Sequence, residues 1–513
     1  MSESFYPPNP PSVPTDITRV ETRFRIRAIK SGVRQGIQEF PPVPGRRCFM
    51  KKYNIRSILM VIMLFFFSGF CGGENHHISK ENLINDIDYY VKVINEAHGD
   101  PYRIISRQRF EKKIEELKHH IRSLKADKIP IIDCFFFLQE LTALIQDGHT
   151  RIVFPFQSLE SSDLLFPFVL KVIDKKVFIA KNLGENQVPL FSEILEINHT
   201  PIKTLMSKSY KLFNTSLEHG KSVLFELFFQ LYLPTYFDLP SPWEVTYKSG
   251  SQTREAEVKG VAVSRYRTIF QRDSQYKEFS FTVDGEVIPG LDIPSFAHGS
   301  FKEYQDFIDT FFEKYKKANY LVIDLRENPG GNGTWGFYLM DYFMDSPYRI
   351  IERFDFKVSD ILRDSQYSDK AGEKLKTARN GIYLPCEMTE IRKPHQKANK
   401  FRGKVFLLIS RYTFSAGVVM AAIFKFNKMG TVIGQETVGK ERFCSDPVRV
   451  TLPRTKLGVI IPLAIYTLPG NNPDQGVIPD ILTVYSIEDY QNQKDKELDK
   501  VRELIKGKID NRQ

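Results

Sequence analysis

Apolar positions recur at helical spacing through three segments early in the chain. Ser79 stands where a cap belongs, and Leu83, Ile87, Tyr90, Val91, Val93 and Ile94 form the stripe of a first helix, with Glu81 and Asp86 in its early turns. A second helix is predicted over residues 106–125 and a third over 131–145. The run ends at Asp147-Gly148-His149-Thr150, where Gly148 breaks the helix and puts His149 into a loop or strand start. From Phe166 to about Val261 the pattern shortens to strand-like runs at 168–172, 176–180 and 243–247, with 205–236 reading as a helical insertion. Beyond Val287 continuous apolar strands alternate with helices. Strands are expected at 287–289, 293–296, 320–325 and 404–409, and helices at 301–317, 333–344 and 418–426. Apolar strands interleaved with helices indicate a mostly parallel α/β sheet. The polar stretch 360–400 reads as an insertion, and a charged helix over 487–509 closes the chain.

Composition sets the scale. At 513 residues and 42% hydrophobic, with 41 Phe and 23 Tyr, the chain is globular and long enough for two to four domains at about 150 residues each. The formal charge of +10 invites a nucleic-acid reading, but residues 1–56 carry eleven Lys and Arg against four acids, so +7 of it sits there. The nearly neutral remainder excludes a phosphate-tracking surface, and no nucleic-acid partner is expected. From Met50 a basic start, an apolar run at 58–67 and the small-residue exit Ser68-Gly69-Phe70-Cys71 have the anatomy of a secretory signal. The chain is therefore expected to be exported, with Cys71 at the position of a lipoprotein box and translation starting at Met50. Cys134, Cys386 and Cys444 form no disulfide framework and no CxxC site. His76-His77 and His119-His120 lack third ligands, so neither metal nor cofactor is expected.

Three constellations carry chemistry. Asn328-Pro329-Gly330-Gly331-Asn332-Gly333 follows a buried strand and precedes a helix. As Gly331-x-Gly333-x-x-Gly336 it is a dinucleotide fingerprint; as a turn it exposes backbone N–H groups able to hold an oxyanion. Thr413-Phe414-Ser415-Ala416-Gly417 also stands between a strand and a helix, where a serine is either a nucleophile at an elbow or a plain helix cap. A serine nucleophile needs a proton acceptor, and His149 or Lys440 can serve.

Taken in order, Leu144 to Thr150, Glu193 to Ile202, Leu291 to Phe296, Leu321 to Gly331, Thr413 to Gly417, Ile433 to Lys440 and Gly476 to Asp480 resemble the tail-specific or C-terminal processing serine peptidases. The likeness is greater to the branch of tricorn-core proteases and interphotoreceptor retinoid-binding protein. The resemblance implies an α/β, ClpP/crotonase-like protease core with an N-terminal helical domain and a PDZ-like β-rich domain. The expected parts are an extension at 1–49, a signal peptide or lipoprotein signal at 50–73, the helical domain at 74–155 and the PDZ-like domain at 160–262. The core follows at 265–486 with an insertion at 346–402, and then the final helix at 487–513. It implies Ser415 as nucleophile, an oxyanion hole from Ala416 with Gly330 or Gly331, and His149 with Asp474 as base and acid. Lys440 is the second choice of base, since Cys444 stands where processing peptidases carry glutamine. The expected partner is a protein or peptide substrate held by the PDZ-like domain, in the periplasm or cell envelope, with a membrane tether through the signal or a lipidated Cys71. A non-catalytic ligand-binding member of the fold and an NAD-linked oxidoreductase are the alternatives.

Overall fold

The computed structural model describes residues 77–265, 275–386, 391–397, 399–470 and 472–507. The signal segment, Cys48, Cys71 and His76 lie outside them. The described residues fall within one compact unit, and none of their helices is long and apolar enough to cross a membrane.

Three helices, α1 (Lys80–Ala97), α2 (Arg107–Ser123) and α3 (Ile131–Ala143), open the chain. The side chains of Ser79 and Ser106 accept from the N–H groups of Asn82 and Arg109 and so start the first two. A β-rich module follows: β1 (Phe168–Ile173), β2 (Lys176–Asn182), β3 (Glu193–Ile197), α4 (Ile202–Ser209), α5 (Glu218–Thr235), β4 (Trp243–Ser249) and β5 (Gln252–Val258). Its sheet runs β5-β4-β3-β2-β1, leaving β1 at one edge.

A sheet edge of this module was expected to capture an extended peptide, and the β1 edge is bonded in part by the chain itself. Gln230 Nε2 on α5 donates to the Phe168 carbonyl at 3.0 Å, the Val172 N–H donates to Glu226 Oε1 at 2.6 Å, and Arg411 donates to the Val172 carbonyl at 3.0 Å. Glu226 and Gln230 are fully buried. Strand addition needs free N–H and C=O groups, and at Phe168 and Val172 on this edge the side chains of α5 and Arg411 have taken them.

The core is a second sheet, built from β6 (Lys277–Val283), β7 (Glu286–Asp292), β8 (Tyr320–Asp324), β11 (Lys404–Ile409), β12 (Thr431–Gly434) and β15 (Ile481–Leu482). Strands β7 through β15 run parallel in the order β7-β8-β11-β12-β15, and β6 is antiparallel at the edge. The expectation of a mostly parallel sheet therefore holds, with helices α6 (Phe301–Tyr315), α7 (Gly333–Met340) and α8 (Ala416–Phe426) between strands. Alternation divides each strand between two cores. Leu321, Ile323, Val405 and Leu407 join the large one, while Val322, Phe406 and Leu408 face Leu498 and Val501.

Two expectations are corrected. The closing helix is interrupted after a short turn at Ile487–Gln491 and resumes as α9 (Lys496–Ile505), with Gln493 at φ +51° between them. The insertion is also not a mere polar excursion. It supplies β9 (Arg353–Lys357) and β10 (Tyr383–Pro385) to a further antiparallel sheet with β13 (Arg442–Thr451) and β14 (Gly458–Thr467), in the order β10-β9-β14-β13.

Arg326, just past β8, ties α9 over the second face. Its guanidinium contacts Asp324 at 2.9 Å and Asp495 and Glu497 at 2.8 Å, with only 8% of its side chain exposed. Removing one partner from a buried charge cluster leaves the others uncompensated. Arg326→Ala is expected to lower unfolding free energy by about 3–5 kcal/mol, read from chemical denaturation.

Candidate active site

Strands β8 and β11 lie side by side and parallel, so the turns that follow them emerge at one sheet edge. The turn after β11 carries Ser415 at φ +50° and ψ −121°, outside the ordinary regions for a residue with a Cβ. Its side chain makes no capping bond to α8, which rules out the plain helix cap. Instead Ser415 Oγ lies 3.1 Å from His149 Nε2.

His149 comes from the loop after α3. Its ring stacks between Phe414 and Phe443, with centroids 4.7 and 5.3 Å away. Burial drives its pKa down to about 4, against the raising effect of Asp147, so the ring is neutral at pH 7. Asp147 organises the loop: Oδ1 accepts the His149 N–H and Oδ2 accepts the Cys444 N–H, both at 2.9 Å. Asn214 donates to the carbonyls of Asp147 and Thr150. Behind the loop, His98 accepts the Asp100 N–H at Nδ1, so its Nε2 proton faces Thr150 Oγ1 at 2.6 Å.

The turn after β8 supplies the glycine pair. Gly330 and Gly331 have φ of +108° and +128°, and a Cβ on either would fall 2.6 Å from Ser415 Cβ or 2.5 Å from the Phe296 backbone. Only glycine fits. The Gly330 N–H is already given to Asn328 Oδ1 at 2.7 Å. The Gly331 N–H and the Ala416 N–H, at the start of α8, have no partner among the described residues.

Asp474 is not brought to His149. It pairs with Arg103, and its side chain is 72% exposed. The carboxylate beside the ring is Asp147, with Oδ1 at 4.0 Å from Nδ1, too long for a hydrogen bond. The signal for Asp147 lay in the sequence, since an Asp two residues before the histidine can accept its N–H in an Asx turn. Lys440 is buried, lines the same cavity as Ser415 and His149, and has no ion pair among the described residues. Burial lowers its pKa.

That cavity measures about 140 Å³, the scale that holds a benzene ring, and Phe135, Phe154, Phe213, Leu227, Phe228 and Val418 contribute its apolar wall. One potential cation cluster, His98, Asp147 and Cys444, has donor atoms within 4.8 Å of one another. The nitrogens of His98 and both oxygens of Asp147 are already spent on the bonds above.

Residues 288–483 match the model for peptidase family S41. Over that stretch the core of this chain is similar to the S41 peptidases. The tail-specific protease of Haemophilus influenzae (strain ATCC 51907 / DSM 11121 / KW20 / Rd) is 26% identical over 159 residues, 31% of this chain and 18% of that protein. The expected relationship to tail-specific and C-terminal processing peptidases, a serine-type peptidase family, is thus met. Among solved structures, mature CPAF complexed with lactacystin shares the α/β fold with a TM-score of 0.63 at 14% identity, covering 83% of this chain and 98% of that one. Mature CPAF alone gives 0.62 at 13%, covering 83% and 97%.

The backbone at Ser415 makes a stability prediction. Ser415→Gly relieves the positive φ and Ser415→Ala keeps it, so in denaturant the glycine variant is expected to be the more stable by about 1–2 kcal/mol, although it loses the same hydroxyl.

Proposed function

We propose that this protein is an exported serine-type peptidase that cuts polypeptides beside an apolar residue. The observation that carries the reading is the 3.1 Å approach of Ser415 Oγ to a neutral, buried His149 at a strained turn. In the attack, Ser415 Oγ bonds to the substrate carbonyl carbon and its proton passes to His149 Nε2. The developing oxyanion is held by the free N–H groups of Gly331 and Ala416. When the C–N bond breaks, His149 returns the proton to the leaving amine. Water then releases the acyl group by the same route in reverse. Asp147 acts on the ring through its charge and by fixing the loop. The apolar cavity next to Ser415 is the natural seat for a side chain of aromatic or leucine size. Export rests on the signal-like segment 50–73, and a membrane tether on Cys71. The β-rich module is read as PDZ-like, with capture of the substrate as its role; the bonds of Glu226 and Gln230 to Val172 and Phe168 occupy two positions of its β1 edge.

The test is a serine-directed fluorophosphonate probe on residues 74–513. Wild type is expected to label, Ser415→Ala to fail, and turnover of an unstructured protein to drop by about 10⁴-fold or more. An unlabelled wild type would return the chain to a non-catalytic, ligand-binding reading. Labelling that survived His149→Ala and vanished in Lys440→Ala would move the base to Lys440. A base that is neutral above a pKa of about 4 predicts kcat/KM flat through neutral pH and falling as pH drops through that value.

A further inference from the structure

Beside the cavity at Ser415 lies a second, open groove of about 850 Å³ between α2, α3 and the segment 208–221. Gln146, Phe213 and Thr215 line both, so the groove adjoins the cavity along these three residues. It has about six times the volume of the cavity that takes one ring.

Its chemistry differs from the cavity's. The floor is aromatic, with Tyr210, Tyr236 and Phe237, and the rim carries Lys113, Lys208, Lys211 and Lys221 against Glu116 and Glu140. Lys113 is neutralised by Glu116 at 2.5 Å, and Lys221 lies 3.4 Å from Glu218 on its own helix. Lys208 and Lys211 are exposed and make no ion pair among the described residues. Glu140 is turned to the Tyr236 hydroxyl. The groove therefore presents net positive charge over an apolar floor, on a chain whose charge outside residues 1–56 is close to balanced.

We infer that this groove holds the acidic stretch of the polypeptide substrate, on one side of the bond presented to Ser415. The inference rests on the peptidase reading and adds a substrate class to it: an extended chain with an apolar residue at the cavity and Asp or Glu residues several positions away. A polypeptide lying across Ser415 must continue past the cavity, and the groove is the adjoining concave surface. Unpaired lysines over an aromatic floor recognise carboxylates on an extended chain, and the electrostatic part of that attraction is screened by salt.

The test uses full-length Ser415→Ala protein and fluorescein-labelled decapeptides that share one central Phe. They carry Glu, Ser or Lys runs on the amino side in one series and on the carboxyl side in another. By anisotropy at about 50 mM salt, the Glu peptide of one series is expected to bind about 10-fold more tightly than its Ser counterpart, and the advantage to shrink below about threefold at about 500 mM. Adding Lys208→Glu and Lys211→Glu should invert the order so that the Lys peptide binds best, whereas Lys302→Glu, which lines neither cavity nor groove, should not. Equal affinities for Glu and Ser peptides, a preference untouched by the double reversal, or no binding of any peptide would overturn the inference. Binding and cutting separate the two readings. Charge-selective binding with no cleavage by wild type keeps the groove and removes the peptidase. Cleavage of Glu, Ser and Lys peptides at equal kcat/KM keeps the peptidase and removes the groove.

Discussion

Asn328 is completely buried, and besides the bond of its own N–H to the Leu325 carbonyl it makes three that reach segments the candidate site needs. Its side-chain oxygen takes the Gly330 N–H at 2.7 Å, its amide donates to the Ile293 carbonyl at 2.9 Å, and its own carbonyl accepts the Phe414 N–H at 3.0 Å. The turn after β8, the segment leaving β7 and the turn that carries Ser415 are thereby fixed to one another. A buried amide is costly unless its bonding capacity is used, and here that requirement sets how close the glycine turn and the serine turn must come. The free N–H groups of Gly331 and Ala416 follow from this. With the Gly330 N–H consumed by Asn328, the N–H of the next glycine is the one left without a partner among the described residues.

The sheet that delivers those turns was legible because its signal is local. Tyr320 to Ile323 and Val405 to Ile409 are unbroken apolar runs, as expected of strands covered on both faces, and the first is followed closely by Asn328-Pro329-Gly330-Gly331, which no strand or helix interior prefers. The strand-turn-helix context of Ser415 was legible for the same reason. Asp474 was misassigned because chain order says nothing about which carboxylate is drawn to the surface by an arginine 371 positions earlier. Asp147 was quoted within its motif but given no role. The two strands within the insertion were hidden by its polar composition: β9 pairs with β14, more than a hundred residues later, and the apolar positions that recognise each other are sparse.

A second polar node joins the β-rich module to the core. The Glu226 carboxylate is buried beneath Arg411, Lys171 and the Tyr412 hydroxyl, with the Lys171 ammonium 3.6 Å away and its pKa held down to about 8 by burial. Arg411 and Tyr412 begin the turn that ends at Ser415, so the module's helix α5 and the turn that carries Ser415 share one ion cluster. Such clusters are poor sources of net stability and good sources of fixed geometry when every member is satisfied.

The partly bonded edge of β1 has a consequence for product release. The proposed cleavage leaves fragments, each able to add as a strand to any open sheet edge nearby. At Phe168 and Val172 this edge is already bonded to Glu226, Gln230 and Arg411 and offers those fragments no partner there. The module can then stand close to the cleft without acting as a sink that stays saturated with spent peptide.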